Sequence, residues 1–347
     1  MITNKDLKMC NEQVFSYSAA YQVPFFGRDA AMEEMQELNS GLKPGEALII
    51  SQPLGTGKTF LVNHMISVGK LDLPMGASFL TVRGITEDPR NMEIFPGDTL
   101  VIDEADIKTP VKKLKKGLDL LADYLNSSKR KAIILGDYSL KNQNISGKLE
   151  HVVPLLKFGD MDRDFLKGVL EQRFKHFLDL EEFEIADVIE SELLDYLTPD
   201  WMKPVNTFRG IFSLLQQVTA NDKYIRYNGE RAFLTMDMVH DLLYKDGIMQ
   251  LDRDQNSFLQ LLCDYIREMY PKGNGITVGF QREELYDLAK KGGMNMGLQE
   301  FTDNVLYPFA TADLLVSTGI PEYEGSGSTF VRRPAPYVPS LRLLLSL

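Results

Sequence analysis

The run Gln52-Pro53-Leu54-Gly55-Thr56-Gly57-Lys58-Thr59 holds the residue types that a phosphate-binding loop requires. Glycines let consecutive backbone N–H groups wrap phosphate oxygens, a lysine reaches the β and γ oxygens, and a hydroxyl faces Mg²⁺. The usual first glycine is replaced by Gln52. The apolar run Ala47 to Ser51 precedes the loop and a helical pattern opens at Phe60. The loop is therefore expected between a buried strand and a helix N-terminus, whose partial positive charge favours phosphate. Gly55, Thr56, Gly57, Lys58, Thr59 and Phe60 are the candidate nucleotide contacts.

A second run, Asp98-Thr99-Leu100-Val101-Ile102-Asp103-Glu104, follows some forty residues later. Its apolar centre reads as a strand that delivers two adjacent carboxylates to the sheet edge. Asp103 could hold Mg²⁺ and Glu104 could polarise an attacking water as general base. Neither Cys10 nor Cys263 belongs to a metal-ligand pair, and His64, His151, His176 and His240 are scattered. Any metal is expected to arrive with a substrate.

Other elements must position these groups. Aliphatic runs at Ala47 to Ser51, Ser78 to Val82, Thr99 to Asp103, Ala132 to Gly136 and Val152 to Phe158 alternate with helical segments, the pattern of a parallel sheet covered by helices. From about Met161 to Val218 the pattern is helical only, with a turn signal at Thr198-Pro199-Asp200. The expected divisions are an N-terminal extension over 1–24, a nucleotide-binding core over 25–160, a helical lid over 161–220 and a third module over 221–347.

These motifs resemble the AAA+ ATPases. Leu54 to Thr59 matches the family's loop, Ile102-Asp103-Glu104 its acidic strand end, and Phe26-Gly27-Arg28-Asp29 the motif ahead of the loop in initiator-like members. The resemblance implies an α/β P-loop core with an α-helical lid. It implies adenine contact by Val23 and Pro24, and a polar residue near the γ-phosphate at Asp137, which otherwise reads as a turn residue. It also places a sensor arginine at Arg209, at the start of a helix whose apolar face is Phe208, Ile211, Phe212 and Leu215. Arg173 is expected in a structural ion pair. The family's arginine finger has no counterpart near Ser146 to His151; Lys148 would be a weaker substitute, and Arg130 and Arg163 fit less well. A threading unfoldase is disfavoured, because Arg83-Gly84-Ile85-Thr86 lacks the aromatic pore loop.

The third module reads as three helices, Ser257 to Tyr270, Gln281 to Lys291 and Gly297 to Phe309, then a hairpin-like segment from Gly319 to Pro339. That order resembles the winged-helix domain of origin-recognition and archaeal replication-initiator ATPases. The would-be recognition helix carries Gln299, Glu300, Thr302, Asp303 and Asn304, with no basic residue. Gln299 and Asn304 could read adenine, while Glu300 and Asp303 would repel phosphate. Arg332 and Arg333 lie on the expected wing.

The chain of 347 residues has a formal charge of −11, an awkward balance for a nucleic-acid partner. The basic residues gather locally: Lys108, Lys112, Lys113, Lys115, Lys116, Lys129, Arg130 and Lys131 face only Asp119 and Asp123 over 107–131. This is either a solvated helix face or a track for a phosphate backbone. No apolar run approaches a membrane span, and a cytoplasmic protein is expected. The expected function is a Mg²⁺-dependent ATPase that acts as an ATP-controlled DNA-binding or loading factor in replication or a mobile-element process. The alternative is an ATP-switched protein-interaction or defence-system ATPase whose winged helix docks a protein. Expected partners are ATP, double-stranded DNA, and a protein partner or ATP-dependent oligomer.

Overall fold

The computed structural model describes residues 6, 13–15, 25–52, 55–73, 79–105, 111–136, 148–149, 151–198, 208–220, 226–228, 231–245, 251–269, 280–312, 314–317, 323–324, 331–332, 337–339 and 343. Two compact units divide them. One comprises Arg28–Gly159 with Thr318–Ala335; the other comprises Met1–Gly27, Asp160–Ser317 and Pro336–Leu347.

The first unit is built on a five-stranded parallel sheet in the order β2-β3-β4-β1-β5. Its strands are β1 (Ala47–Ser51), β2 (Leu80–Thr81), β3 (Thr99–Ala105), β4 (Lys131–Gly136) and β5 (Val152–Pro154). Ala47, Leu48 and Ile50 in β1 and Ala132 to Leu135 in β4 are almost wholly buried, as strands covered on both faces must be. The α/β class expected from the aliphatic runs is the class observed. The edge strands are shorter than their runs: β2 is two residues and β5 stops at Pro154. Edge strands pair on one side only, and proline has no N–H for the ladder.

The helices of this unit are α1 (Asp29–Gly41), α2 (Lys58–Ser67), α3 (Val82–Glu87), α4 (Asn91–Ile94) and α5 (Val111–Ser128). Leu114, Leu118, Leu121, Ala122 and Leu125 give α5 one buried stripe. The short α3 starts at Thr81, whose hydroxyl accepts from the Gly84 N–H at 3.0 Å.

The second unit begins with α6 (Arg163–Leu178), α7 (Ser191–Leu197) and α8 (Phe208–Thr219). It continues through a β6 (Arg226–Asn228) and β7 (Arg231–Phe233) hairpin to α9 (Met236–Lys245), α10 (Arg253–Met269) and α11 (Arg282–Lys291). One apolar core runs through it, from Leu166 and Phe174 through Phe212 and Leu234 to Phe258, Phe301 and Phe309. Described residues on both sides of position 220 thus share a core, and Leu234 bridges back to Ile189.

The helix expected over Gly297 to Phe309 is present and carries a π-helical turn. It runs as α12 (Leu298–Phe301), a π-helical turn over Thr302–Leu306, and α13 (Tyr307–Thr311). Pro308 has no N–H to give the Asn304 carbonyl, and the Gln255 side-chain amide fills that place at 2.7 Å. The expected hairpin region contains two antiparallel ladders. β8 (Leu315–Ser317) pairs with β11 (Tyr337–Pro339) in the second unit, and β9 (Tyr323–Glu324) pairs with β10 (Val331–Arg332) in the first.

Candidate nucleotide site

Chain connections leaving β1 and β4 run in opposite directions across the sheet, the arrangement in which open α/β sheets place ligands beyond the carboxyl ends of their strands. The glycine loop after β1 lies there. Gly55 and Gly57 have φ of 84° and 93°, a left-handed region that glycine enters without steric cost. Gly57 is the residue from which α2 starts, so the first N–H groups of that helix follow the loop directly.

Lys58 opens α2 and is 7% exposed, and its ammonium donates to the Gln52 carbonyl at 2.8 Å. The lysine is therefore folded over the loop it belongs to. Gln52 itself continues the sheet, its N–H donating to the Gly136 carbonyl at 3.0 Å. The position that lacks the usual glycine is thus occupied by a residue in extended pairing, where a side chain is tolerated.

Thr59 follows with its hydroxyl donating to Asp103 Oδ2 at 2.8 Å. This joins the helix after the loop to the acidic end of β3. The carboxylate pair sits on an irregularity that the sequence did not reveal: β3 pairs Ile102 with Ile134 and Ala105 with Gly136, so two residues, Asp103 and Glu104, oppose one on β4. An extra residue bends the strand and re-aims its side chains, and such bulges gather beside active sites. Glu104 lies in β3 at this bulge, and its side chain is outside the described residues.

A hydroxyl and a carboxylate in contact, beside a buried ammonium at a helix N-terminus, suit hard oxygen-ligated Mg²⁺ and a polyphosphate. Among the described residues no group of three or more His, Cys, Asp or Glu could hold a metal alone. The donor set fits a cation brought with phosphates.

The remaining candidates fall in different places. Phe60 is in the first turn of α2 and half-buried. Val23, Pro24, Asp137 and Arg333 lie outside the described residues, as do the side chains of Lys112 and Arg332. Arg209 is the second residue of α8 and exposed, while Ile211, Phe212, Leu214 and Leu215 of the same helix are buried. Arg163 joins α6 to α7 through Asp195 at 2.7 Å and Ser191 Oγ at 2.5 Å. Lys148 pairs with Asp123 of α5 at 2.9 Å. Arg173 is buried, donates to the Val14 carbonyl at 2.5 Å and lies 4.3 Å from the Phe212 ring centroid. Burial pushes its guanidinium pKa down to about 10.

The basic segment is smaller on the surface than its count suggests. Lys113, Lys115, Lys116 and Lys129 are exposed, but Arg130 is buried and does not belong to that face. Its guanidinium donates to the carbonyls of Met92 and Phe95, each at 2.8 Å, and to Gly97. Lys131 reaches inward to the Asn39 carbonyl at 2.7 Å. A cation beside a row of short-helix carbonyls is held by them, which the one-dimensional count cannot show.

The expected DNA-reading helix also spends its polar groups on itself. Gln299 donates to both Asp303 carboxylate oxygens at 3.0 and 3.1 Å, and Glu300 accepts from the Gly297 N–H at 3.3 Å.

No protein-family model matches the sequence, and no curated protein matches it. Solved structures with a similar chain path include three replication proteins. The Aeropyrum pernix ORC1 protein in complex with DNA has a TM-score of 0.42 and 16% identity, covering 96% of this chain and 94% of that one. Domain III of the Thermotoga maritima replication initiation protein DnaA has a TM-score of 0.35 and 17% identity, covering 58% and 87%. A replication initiator DnaA bound to AMPPCP and single-stranded DNA has a TM-score of 0.38 and 14% identity, covering 84% of each chain. These are similarities of chain path.

Proposed function

We propose that the protein is a Mg²⁺-dependent ATPase of the AAA+ type, acting as an ATP-controlled DNA-binding or loading factor in replication or a mobile-element process. The observation that carries the ATPase half is the joined set of Lys58, Thr59 and Asp103 at the end of the glycine loop. Lys58 leaves the Gln52 carbonyl for phosphate oxygens. Thr59 and Asp103 hold Mg²⁺, which neutralises charge on the phosphates. Glu104 takes the proton of the attacking water, and Arg209 answers the γ-phosphate.

Glu104→Gln separates binding from turnover. It retains ATP and loses hydrolysis; full turnover in that variant removes Glu104 from the mechanism. Support for the DNA half is the exposed lysine face of α5. Duplex affinity then falls steeply between low and moderate salt, because each phosphate contact releases counterions. Replacing Lys112, Lys113, Lys115 and Lys116 by Glu abolishes it; unchanged affinity in that variant sinks the DNA reading.

A second reading, a protein-docking switch, is favoured by the acidic helix whose Gln299 and Asp303 are already engaged with one another. Loss of salt-dependent duplex binding together with ATP-dependent capture of a purified partner protein would select it.

A further inference from the structure

Arg209 stands in the first turn of α8, where a helix holds itself least, because its first four N–H groups have no acceptor within it. One turn further on, α8 is fixed by burial of Ile211, Phe212 and Leu215, and the Arg173 guanidinium lies 4.3 Å from the Phe212 ring centroid. The direction in which Arg209 leaves the helix therefore depends on what its neighbour Phe208 packs against.

Phe208 is half-buried, and its ring meets two others. Within α8 it lies 5.5 Å from Phe212; outside α8 it meets Phe165 of α6, also at 5.5 Å, with the planes tilted by 60°. Phe165 is itself held from several sides. Its N–H donates to Asp162 Oδ1 at 2.8 Å, which caps α6. Its ring stacks on Phe26 at 6.3 Å, the planes 24° apart. The backbone of Gly27 passes so near that a Cβ there would stand 2.7 Å from the Phe165 ring.

Phe26 in turn has a fitted seat. It lies over Gly168, one turn further along α6, where a Cβ would stand 2.1 Å from the ring. Phe26, Phe165 and Phe208 thus form a row of rings that ends at the residue before Arg209, and all of it lies within one compact unit. Offset and tilted rings attract through their quadrupoles, so such a row resists sliding as well as separation.

We propose that Phe165 is a positioning residue for Arg209. Seated against Phe26 and Gly27, it fixes Phe208 and so sets how the first turn of α8 presents the arginine to the γ-phosphate. The proposal rests on the reading of Arg209 given above. Phe165 touches no reacting atom and acts through Phe208.

The test uses the full chain and two measurements. In the first, without nucleotide, a nitroxide is attached at Arg209→Cys in a Cys10→Ser, Cys263→Ala background. Phe165→Ala shortens the label's rotational correlation time about twofold. Phe165→Tyr, which keeps the ring, leaves it unchanged. Phe165→Leu, which keeps apolar bulk without a ring, gives a smaller change in the same direction and decides the matter if the alanine variant does not fold. Equal label mobility in whichever of these variants folds would overturn the proposal.

The second measurement is steady-state ATP hydrolysis with Arg209 in place. Phe165→Ala lowers kcat about tenfold, as a small misplacement of a charged group can, and changes the KM for ATP by less than about twofold. Phe165→Tyr restores kcat, and Phe165→Ala added to Arg209→Ala costs nothing more, because both changes remove one effect. A full kcat in Phe165→Ala, or a loss that multiplies that of Arg209→Ala, counts against positioning. Full turnover in Arg209→Ala refutes the reading of the arginine itself, whereas unchanged label mobility refutes the proposal alone.

Discussion

Thr59 and Asp103, 44 positions apart, are joined by a hydrogen bond of 2.8 Å from the threonine hydroxyl to the carboxylate Oδ2. The bond couples the helix after the glycine loop to the bulged end of β3. In the proposed reading, Mg²⁺ held by these two hard oxygens would take the place of their mutual hydrogen bond.

Asp103→Asn should therefore weaken ATP affinity in the presence of Mg²⁺ by about tenfold, or roughly 1.4 kcal/mol, while affinity in EDTA stays the same. Titration calorimetry with and without Mg²⁺ reads both numbers. An equal loss under both conditions would assign Asp103 to the phosphates or to the fold.

Gly117 of α5 faces α3 so closely that a Cβ there would stand 2.6 Å from Val82 Cγ1 and 3.1 Å from the Val82 carbonyl. Alanine is the better helix former by about 1 kcal/mol, so propensity and crowding oppose each other. Crowding against backbone wins: Gly117→Ala should destabilise the protein by about 1–3 kcal/mol in urea unfolding. A stabilised variant would mean that α3 can move away at little cost.

How far these features could be read from sequence depends on whether they are local. The strand, loop and helix around Lys58 follow from consecutive residues, and the aliphatic runs located the central strands because burial on both faces imposes continuous apolarity. The β3 bulge, the Phe165 ring contacts and the π turn at Thr302–Leu306 each need a partner distant in the chain, or a register. The same limit misled the charge count over 107–131, where Arg130 answers to carbonyls more than thirty residues upstream.

Arg130 supplies the next expectation. Its donors hold the carbonyls of Met92, Phe95 and Gly97, and it also bonds the Tyr124 hydroxyl at 3.2 Å. Arg130→Met keeps much of the volume but strands these acceptors in a buried place, a loss of about 2–4 kcal/mol by the usual penalty for unpaired buried groups. Duplex affinity of the molecules that remain folded should not change, in contrast to charge reversal at the exposed Lys113, Lys115 and Lys116. Reduced affinity in Arg130→Met, measured well below its unfolding midpoint, would return the arginine to the basic face.

Cys263 on α10 is 6% exposed, and burial pushes its thiol pKa from 9.0 up to about 11, ahead of a lowering influence from Arg267. The thiolate is the reactive form, so at pH 8 the native thiol should react with a disulfide reagent about a hundredfold more slowly than the unfolded chain. The same shift sets a pH dependence of stability. Folding favours the protonated thiol, so its contribution is fully present below pH 9 and declines as pH rises from 9 towards 11, where the unfolded chain loses the proton first. Cys263→Ala in a Cys10→Ser background should flatten that part of the stability profile relative to Cys10→Ser alone. Fast labelling of the native protein, or identical alkaline slopes in the two variants, would show that the thiol ionises without regard to the fold.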